Sequence, residues 1–353
     1  MRAGTGAAFL VLPVSGGSEA AAAAAEEAEG RGGTLVRGGA LLGVLLICVA
    51  VLRRWIAGGV CRSRRRQDGK TVLVTGANTG IGKETCRELA RRGARVVMAC
   101  RDLARAERAA EEIRQSTGNG NVVIRHLDLA SLYSVRQFAK EFLDSEDRLD
   151  ILVNNAGVMM CPKWLTEDGL ETQLAVNHLA HFLLTNLLLP KLKSSAPSRV
   201  VTVSSIAHRG GRIDFDDLLF DKRPYSPLVS YQQSKLANVL FSRELARRLR
   251  GSGVSSFCLH PGVIRTELGR HVEGWFPLLG TVLRLPSLLF MKTPWQGCQT
   301  SLYCAVTPGL EDQSGSYFSD CTMKEAAPEG RDDEAAGRLW RESMRLVELK
   351  ETC

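Results

Sequence analysis

The sequence predicts an α/β domain built on a doubly wound parallel sheet. Two observations carry this prediction. After Lys70, short runs of β-branched residues alternate with longer amphipathic segments, and a glycine-rich turn follows the first run. Such alternation is typical of a parallel sheet with helices on both faces. Right-handed crossovers between the strands then place ligands at the carboxyl ends of the strands.

The predicted elements follow one another regularly along the chain. The strand candidates are residues 71–75, 95–99, 122–127, 150–153, 199–203 and 254–259. The helix candidates are residues 81–92, 103–115, 132–143, 170–192 and 228–249. The part of the chain after the N-terminal region is about 280 residues long, which suits one large domain better than two small ones. We therefore expect residues 70–353 to form a single domain.

Charge and cysteine usage exclude some classes of function. The 353-residue chain has a formal net charge of +8, and much of the excess lies in one run from Arg62 to Arg66, close to an apolar stretch. This placement favours a membrane surface over nucleic acid as the partner. The ten cysteines are scattered without a Cys-x-x-Cys pair, which indicates reduced thiols and no metal site.

The N-terminal region is predicted to attach the protein to a membrane. Residues 1–34 are rich in Ala, Gly and Glu, a low-complexity composition that predicts disorder. Residues 38–52 carry no charge but are shorter than the roughly 20 residues that span a bilayer. A signal peptide or a buried helix remains an alternative. Because Arg53, Arg54 and the later arginines all follow the apolar stretch, we expect a retained anchor over 35–57 and a basic linker over 58–69.

The segment from Thr75 to Gly82, TGANTGIG, lies between the first strand and the first helix of the domain. Glycines there let the backbone approach a pyrophosphate, whose charge the helix N-terminus stabilises. Glycine-rich turns are common, but this placement favours a dinucleotide and hence a Rossmann-type fold. The predicted cofactor-binding residues of the turn are Gly76, Asn78, Thr79, Gly80, Ile81 and Gly82.

The end of the second strand predicts which nicotinamide cofactor binds. An acidic residue there would accept from the ribose 2′-hydroxyl of NAD, whereas this strand is followed by Arg101. A guanidinium can pair a 2′-phosphate through two hydrogen bonds, which favours NADP(H). Asp102 is at a distance that would suit a ribose-binding acid, but we interpret it as the N-cap of the next helix. Asp128 and Leu129 are expected beside the adenine.

Tyr231 and Lys235 are four residues apart, so they lie on one face of a helix. A free tyrosine has a pKa near 10, and a nearby lysine cation lowers it enough for acid/base work. The pair Ser204-Ser205 ends a strand, and a serine hydroxyl there can bind a substrate carbonyl. Asn177 could hold a water that relays protons to Lys235, although an ordinary polar helix residue is the alternative.

These motifs resemble, in order and spacing, those of the short-chain dehydrogenase/reductase superfamily over roughly residues 70–318. Within it the chain is similar to the retinol dehydrogenases. The segments that carry this resemblance are IAGGVCR (56–62), TGANTGIGKET (75–85), ACRD (99–102), NNAGVMMCP (154–162), VNHLAHFLLTNLLLP (176–190) and SKLANVLFSRELARRL (234–249).

The resemblance implies the roles of further residues. It implies that Ser205, rather than Ser204, is catalytic together with Tyr231, Lys235 and Asn177, and that Ser205 and Tyr231 contact the substrate. The remaining cofactor contacts that it implies are Asn155, Ala156, Gly157, Tyr231, Lys235, Pro261, Gly262, Val263 and Thr266. Residues 267–296, rich in Leu, Phe, Trp and Pro, are expected to form a substrate lid.

The activity implied by the resemblance is NADP(H)-dependent interconversion of retinol and retinal, with reduction of retinal and other lipophilic aldehydes as the expected direction. Steroids or lipid-derived aldehydes as substrates are alternatives, as is a non-catalytic, membrane-tethered NADP(H)-binding protein. We expect attachment to the endoplasmic reticulum membrane with the catalytic domain facing the cytosol, or alternatively to a mitochondrial membrane. No nucleic acid partner is expected.

Overall fold

The computed structural model describes residues 43–44, 46–264 and 290–350, which divide between two compact units, 1–55 and 56–353. Residues 46–57 are helical and are labelled α1. Among the residues that the structure describes, none of the helices is both long and apolar enough to cross a membrane. Residues 1–34, most of the predicted lid (267–289) and Thr266 lie outside the described residues.

The described part of the second unit contains one eight-stranded sheet. In chain order its strands are β1 (Thr71–Thr75), β2 (Arg95–Cys100), β3 (Val122–His126), β4 (Ile151–Asn154), β5 (Ser198–Val203), β6 (Val254–His260), β7 (Tyr317–Ser319) and β8 (Thr322–Lys324). Their spatial order is β3-β2-β1-β4-β5-β6-β7-β8. All neighbours pair in parallel except β7 and β8. The predicted doubly wound parallel sheet is confirmed, and its strand order reverses between β1 and β4, where such sheets bind ligands.

Helices cover both faces of the sheet. They are α2 (Gly80–Arg91), α3 (Leu103–Thr117), α4 (Leu132–Ser145), α5 (Ala180–Ser194), α6 (Pro227–Arg248), α7 (Pro294–Val306) and α8 (Asp333–Leu346). Buried side chains of α2, α3 and α7 form one hydrophobic core with the sheet, and those of α4, α5, α6 and α8 form another. Each face of the sheet therefore has its own core, as expected for strands that are buried on both sides.

Residues 58–69, predicted as a linker, pack on the domain itself. Cys61 and Gln67 are buried. The Cys61 main-chain N–H donates to Gln299 Oε1 (3.2 Å), and Ser63 Oγ donates to the main-chain oxygen of Val306 (3.2 Å), so the segment is bonded along α7. A side chain at Gly59 would overlap the backbone of Asp320. The compact unit accordingly begins at Ile56 rather than at residue 70.

Helix α8 packs against α6, the helix that carries Tyr231 and Lys235. The Trp340 ring of α8 lies 4.8 Å from the Phe182 ring of α5 and 6.0 Å from the Phe241 ring of α6, measured between centroids. The Arg248 guanidinium lies 4.5 Å from the Trp340 ring centroid. Large buried aromatic rings contribute much of the stability of such an interface.

We predict that Trp340→Ala lowers the free energy of unfolding by about 3–5 kcal/mol, because it leaves a cavity between three helices. Denaturant unfolding of the purified protein measures this loss. Trp295→Ala is the matched control, because Trp295 is 43% exposed. Equal losses of unfolding free energy in the two variants would contradict the importance of the Trp340 packing between α8, α5 and α6.

Candidate active site

A cavity of about 600 Å³ opens at the carboxyl ends of the central strands. It lies at the point where the strand order reverses, between the segments that follow β1 and β4. The structure brings together here most residues that were predicted to bind a cofactor, namely Gly76, Asn78, Thr79, Gly80, Ile81, Gly82, Arg101, Asp128, Leu129, Asn155, Ala156 and Gly157.

The glycine turn is close-packed in a way that only glycine allows. Gly76 has a φ of +62°, and a Cβ atom there would lie 2.9 Å from the Cα of Ala156. A Cβ atom at Gly82 would lie 2.6 Å from Asn155 Nδ2 and would overlap the carbonyl of Gly76. The first turn of α2 contains no acidic residue, and Thr79 makes no side-chain capping bond to it. The helix N-terminus is therefore a suitable site for a phosphate.

Asp102 and Arg101 have different roles at the rim of this cavity. Asp102 Oδ1 accepts a hydrogen bond from the main-chain N–H of Arg105 (2.9 Å), which confirms Asp102 as the N-cap of α3. Arg101 is exposed and lines the cavity, as Arg105 does. Burial of the Cys100 thiol raises its pKa to about 11, so it remains an unreactive thiol at neutral pH.

Tyr231 and Lys235 are buried together on one face of α6. Burial raises the pKa of the Tyr231 phenol, and a hydrogen bond with Ser205 opposes that rise. The expected net lowering of the Tyr231 pKa by Lys235 is wrong for this structure, because the cost of burying a phenolate dominates. Lys235 Nζ lies 5.8 Å from the centre of the Tyr231 ring.

Lys235 itself has an altered acidity. Burial lowers the pKa of its ammonium to about 8, so the group titrates far closer to neutral pH than a solvated lysine does. Its Nζ donates to the main-chain oxygen of Val203 at the end of β5 (3.2 Å). The lysine is thus held against the sheet, beside the tyrosine.

The two serines after β5 differ in their contacts. Ser204 is buried, and its Oγ donates to the main-chain oxygen of Lys235 (2.6 Å). Ser205 is partly exposed, its Oγ accepts from the main-chain N–H of Ala207 (3.2 Å), and its hydroxyl is close enough to Tyr231 to oppose the rise of the phenol pKa. The structure therefore places the Ser205 hydroxyl, and not that of Ser204, beside the phenol.

Asn177 lies in a π-helical turn, Ala175–Leu179, directly before α5. Its side chain is fully buried and has three partners: Oδ1 accepts from Val158 N (2.8 Å), and Nδ2 donates to Val158 O and Ser234 Oγ (2.9 Å each). Ser234 lies in α6 between Tyr231 and Lys235. The Asn177 side chain therefore ties the loop after β4 to the helix that carries the tyrosine and lysine.

The turn after β6 contains three residues that were predicted to bind the cofactor, Pro261, Gly262 and Val263. Gly262 has a φ of +104°, and a Cβ atom there would lie 2.6 Å from Lys292 Cδ. Pro261 is buried and Val263 is 57% exposed. These three residues lie outside the lining of the 600 Å³ cavity, as do Tyr231 and Lys235.

Three buried histidines around the site were not predicted from the sequence. His208 Nδ1 lies 2.7 Å from the main-chain oxygen of Ser205, and His260 Nδ1 accepts from the main-chain N–H of Ile206 (3.1 Å). His181 bonds to the hydroxyl of Thr75 (2.8 Å). The sequence signal was their position one to four residues from a predicted site residue, but only the fold shows what they contact.

Known proteins resemble this chain in sequence and in fold. Residues 70–275 match the family described as short chain dehydrogenase. The chain is 54% identical to human retinol dehydrogenase 13 over 88% of its length and 94% of that protein. It is 56% identical to human retinol dehydrogenase 12 over 85% of its length and 93% of that protein. A solved Escherichia coli short chain dehydrogenase complexed with NADPH is 26% identical, with a TM-score of 0.58, over 73% of this chain and 99% of that one. The chain belongs to the short-chain dehydrogenase family.

Proposed function

We propose that this protein is an NADP(H)-dependent oxidoreductase that interconverts retinol and retinal and reduces retinal and other lipophilic aldehydes. The observation that carries the proposal is the assembly of Tyr231, Lys235 and Ser205 beside a glycine-lined cavity. The identity of more than half of the aligned residues to proteins named retinol dehydrogenases supports the substrate class.

The cavity fits a dinucleotide. The missing side chains at Gly76 and Gly82 leave the backbone open to a pyrophosphate, and the uncapped N-terminus of α2 suits its charge. Arg101 at the rim would pair the 2′-phosphate, while Asp128, Asn155 and the other cavity residues would hold the adenosine and ribose groups. When bound, NADPH supplies the hydride for carbonyl reduction. Thr266 and the turn from Pro261 to Val263 are proposed to complete the nicotinamide end.

The protein's own residues supply the proton and the electrostatic support. The Tyr231 hydroxyl donates its proton to the carbonyl oxygen as negative charge develops there, and the Ser205 hydroxyl stabilises the same oxygen by a hydrogen bond. The Lys235 cation favours the phenolate that remains. Asn177 holds the loop after β4 and α6 in register around this arrangement.

We also propose that residues 35–57 anchor the protein in the endoplasmic reticulum membrane, with the catalytic domain in the cytosol and residues 267–296 over the substrate. The described helix α1 exposes Leu46, Ile47, Val51 and Trp55. Arg53 and Arg54 follow the apolar stretch, and cationic flanks remain cytoplasmic.

The proposed activity is tested by following NADPH oxidation by the purified full-length protein with all-trans-retinal. We expect turnover with NADPH and much less with NADH. Steroid ketones and lipid-derived aldehydes, assayed in parallel, distinguish the substrate class. Binding of NADPH without turnover of any of these carbonyl compounds would contradict the proposal.

We predict that Tyr231→Phe lowers kcat by a factor of order 10² or more, because the reduced oxygen loses its proton donor. NADPH binding, measured by fluorescence titration, should be retained. Tyr133→Phe is the control, since Tyr133 is 69% exposed. Turnover near the wild-type rate in Tyr231→Phe would exclude the phenol as the acid.

We predict that Arg101→Ala weakens NADPH binding by about 1–3 kcal/mol, the scale of a lost charged hydrogen bond, and leaves NADH binding nearly unchanged. Dissociation constants for both cofactors measure the difference. Arg108→Ala, at an exposed position on the helix α3 that follows, is the control. An equal loss for both cofactors would show that Arg101 does not select the 2′-phosphate.

In sealed microsomes, protease added outside is expected to digest the catalytic domain, because its basic flank faces the cytosol. Carbonate washing is expected to leave the intact protein in the membrane. A protected catalytic domain would reverse the proposed orientation, and release by carbonate would mean peripheral attachment.

A further inference from the structure

His181 lies between two catalytic segments, and the proton chemistry above does not use it. It sits in the first turn of α5 and is 1% exposed. Its Nε2 lies 2.8 Å from Thr75 Oγ1, at the end of β1, and its Nδ1 lies 3.2 Å from the main-chain oxygen of Asn177. One imidazole ring therefore joins the start of the glycine turn to the π-helical turn.

The surroundings of His181 fix which ring nitrogen carries the proton. The Asn177 carbonyl can only accept, so Nδ1 donates to it. Thr75 Oγ1 accepts from the main-chain N–H groups of Asn155 and Ala156 (3.0 Å each), which occupies both lone pairs of the hydroxyl. Nε2 cannot donate to that oxygen and must accept from it. Both ends of the ring thus require the Nδ1–H tautomer.

The same surroundings keep the ring neutral. Burial lowers the pKa of His181 to about 4, the bond to the Asn177 carbonyl opposes this shift, and the positive charge of Lys235 adds to it. At neutral pH the two hydrogen bonds of the ring therefore have fixed directions: Thr75 Oγ1 donates to Nε2 of His181, and Nδ1 of His181 donates to the Asn177 carbonyl. It acts as a rigid connector and does not exchange protons.

We propose that His181 is a positioning residue for the acid/base group. Its ring fixes the main chain of Asn177 relative to the end of β1, and the Asn177 side chain in turn bonds to Ser234, which lies directly before Lys235 and three residues after Tyr231. This inference rests on the proposed carbonyl reduction, and it assigns to that reaction a residue whose ring acts through Asn177.

The expected effect of losing the ring is unequal at its two ends. Without His181, the Thr75 hydroxyl can turn to the main-chain oxygen of Val153, which lies 3.5 Å away, and keeps its bonds to Asn155 and Ala156. The Asn177 carbonyl has no such second side-chain donor among its described contacts. The loss therefore falls on the catalytic step rather than on cofactor binding.

His178, in the π-helical turn directly before α5, provides a matched control. It is also 1% exposed, and its Nε2 lies 2.8 Å from a hydroxyl, that of Ser343 in α8. It contacts the rings of Phe182 and Phe241 and so belongs to the core between α5, α6 and α8. Replacing it disturbs packing on the side away from Thr75.

The first test is independent of any substrate. In ¹⁵N spectra of the full-length protein with labelled histidine, the signal lost in His181→Phe should show a neutral ring protonated on Nδ1 throughout the neutral pH range. The chain has only six histidines, which favours assignment. An Nε2–H tautomer, or a charged ring at neutral pH, would overturn the inference whatever the enzyme reduces.

The second test is kinetic and uses any carbonyl compound that the wild-type protein reduces. His181→Phe should lower kcat about tenfold, the size of one lost buried hydrogen bond, with the dissociation constant for NADPH changed less than about threefold. His178→Phe should lower the thermal midpoint comparably but change kcat less than about threefold.

The outcomes separate a positioning role from a structural one. Equal losses of kcat in the two variants, or an unchanged kcat in His181→Phe, would overturn the inference. A parallel loss of kcat and NADPH affinity would also overturn it, because His181 would then only support the cofactor loop. A wild-type protein that binds NADPH but reduces nothing would refute the proposed function. The spectra would still test the tautomer and the charge of the His181 ring.

Discussion

The parallel pairing of β1 with β4 is the contact on which the whole site depends. Val72, Leu73 and Val74 lie opposite Ile151, Leu152 and Val153. This register brings Thr75 and Asn154 to the same edge of the sheet, although 79 residues separate them in the chain. Since the glycine turn follows one strand and the segment NNAG follows the other, a shift in register would separate the two walls of the cavity.

The acid/base group combines two opposing effects of burial. Burial makes a phenolate at Tyr231 and an ammonium at Lys235 both costly, so it raises one pKa and lowers the other. The phenol pKa starts at 10.0 and rises, while the ammonium pKa falls from 10.5 to about 8, so the two values move apart and burial favours the neutral form of each group. Perturbed pKa values are common at sites that perform acid/base chemistry. The hydrogen bond with Ser205 favours the phenolate and opposes the effect of burial on Tyr231.

Much of this architecture could be predicted because local patterns determine it. The bounds of β1 agree with its run of β-branched residues, and the capping role of Asp102 follows from its place before a helix. The short strands β7 and β8 and the helices α7 and α8 were not predicted. Three-residue strands carry too little pattern to be recognised in a sequence.

The remaining features could not be predicted because they depend on distant parts of the chain. The pKa of Tyr231 depends on how deeply the folded protein buries the phenol, which the spacing of Tyr231 and Lys235 does not reveal. The contacts of His181 with Thr75 join residues that are 106 positions apart. Sequence motifs identified the chemical groups at the site, and the fold determines their environment.

Gly58 and Gly59 lie so close to Asp320 that a side chain at either position would overlap it. Asp320 forms an ion pair with Lys292, whose side chain packs against Gly262 in the turn after β6. Segment 58–67 has the composition of a flexible spacer. Through Asp320 and Lys292 it is nevertheless connected by direct contacts to the proposed nicotinamide end of the site. A side chain at Gly58 would overlap both Asp320 and Lys292, so this segment is coupled by direct contact to the turn after β6.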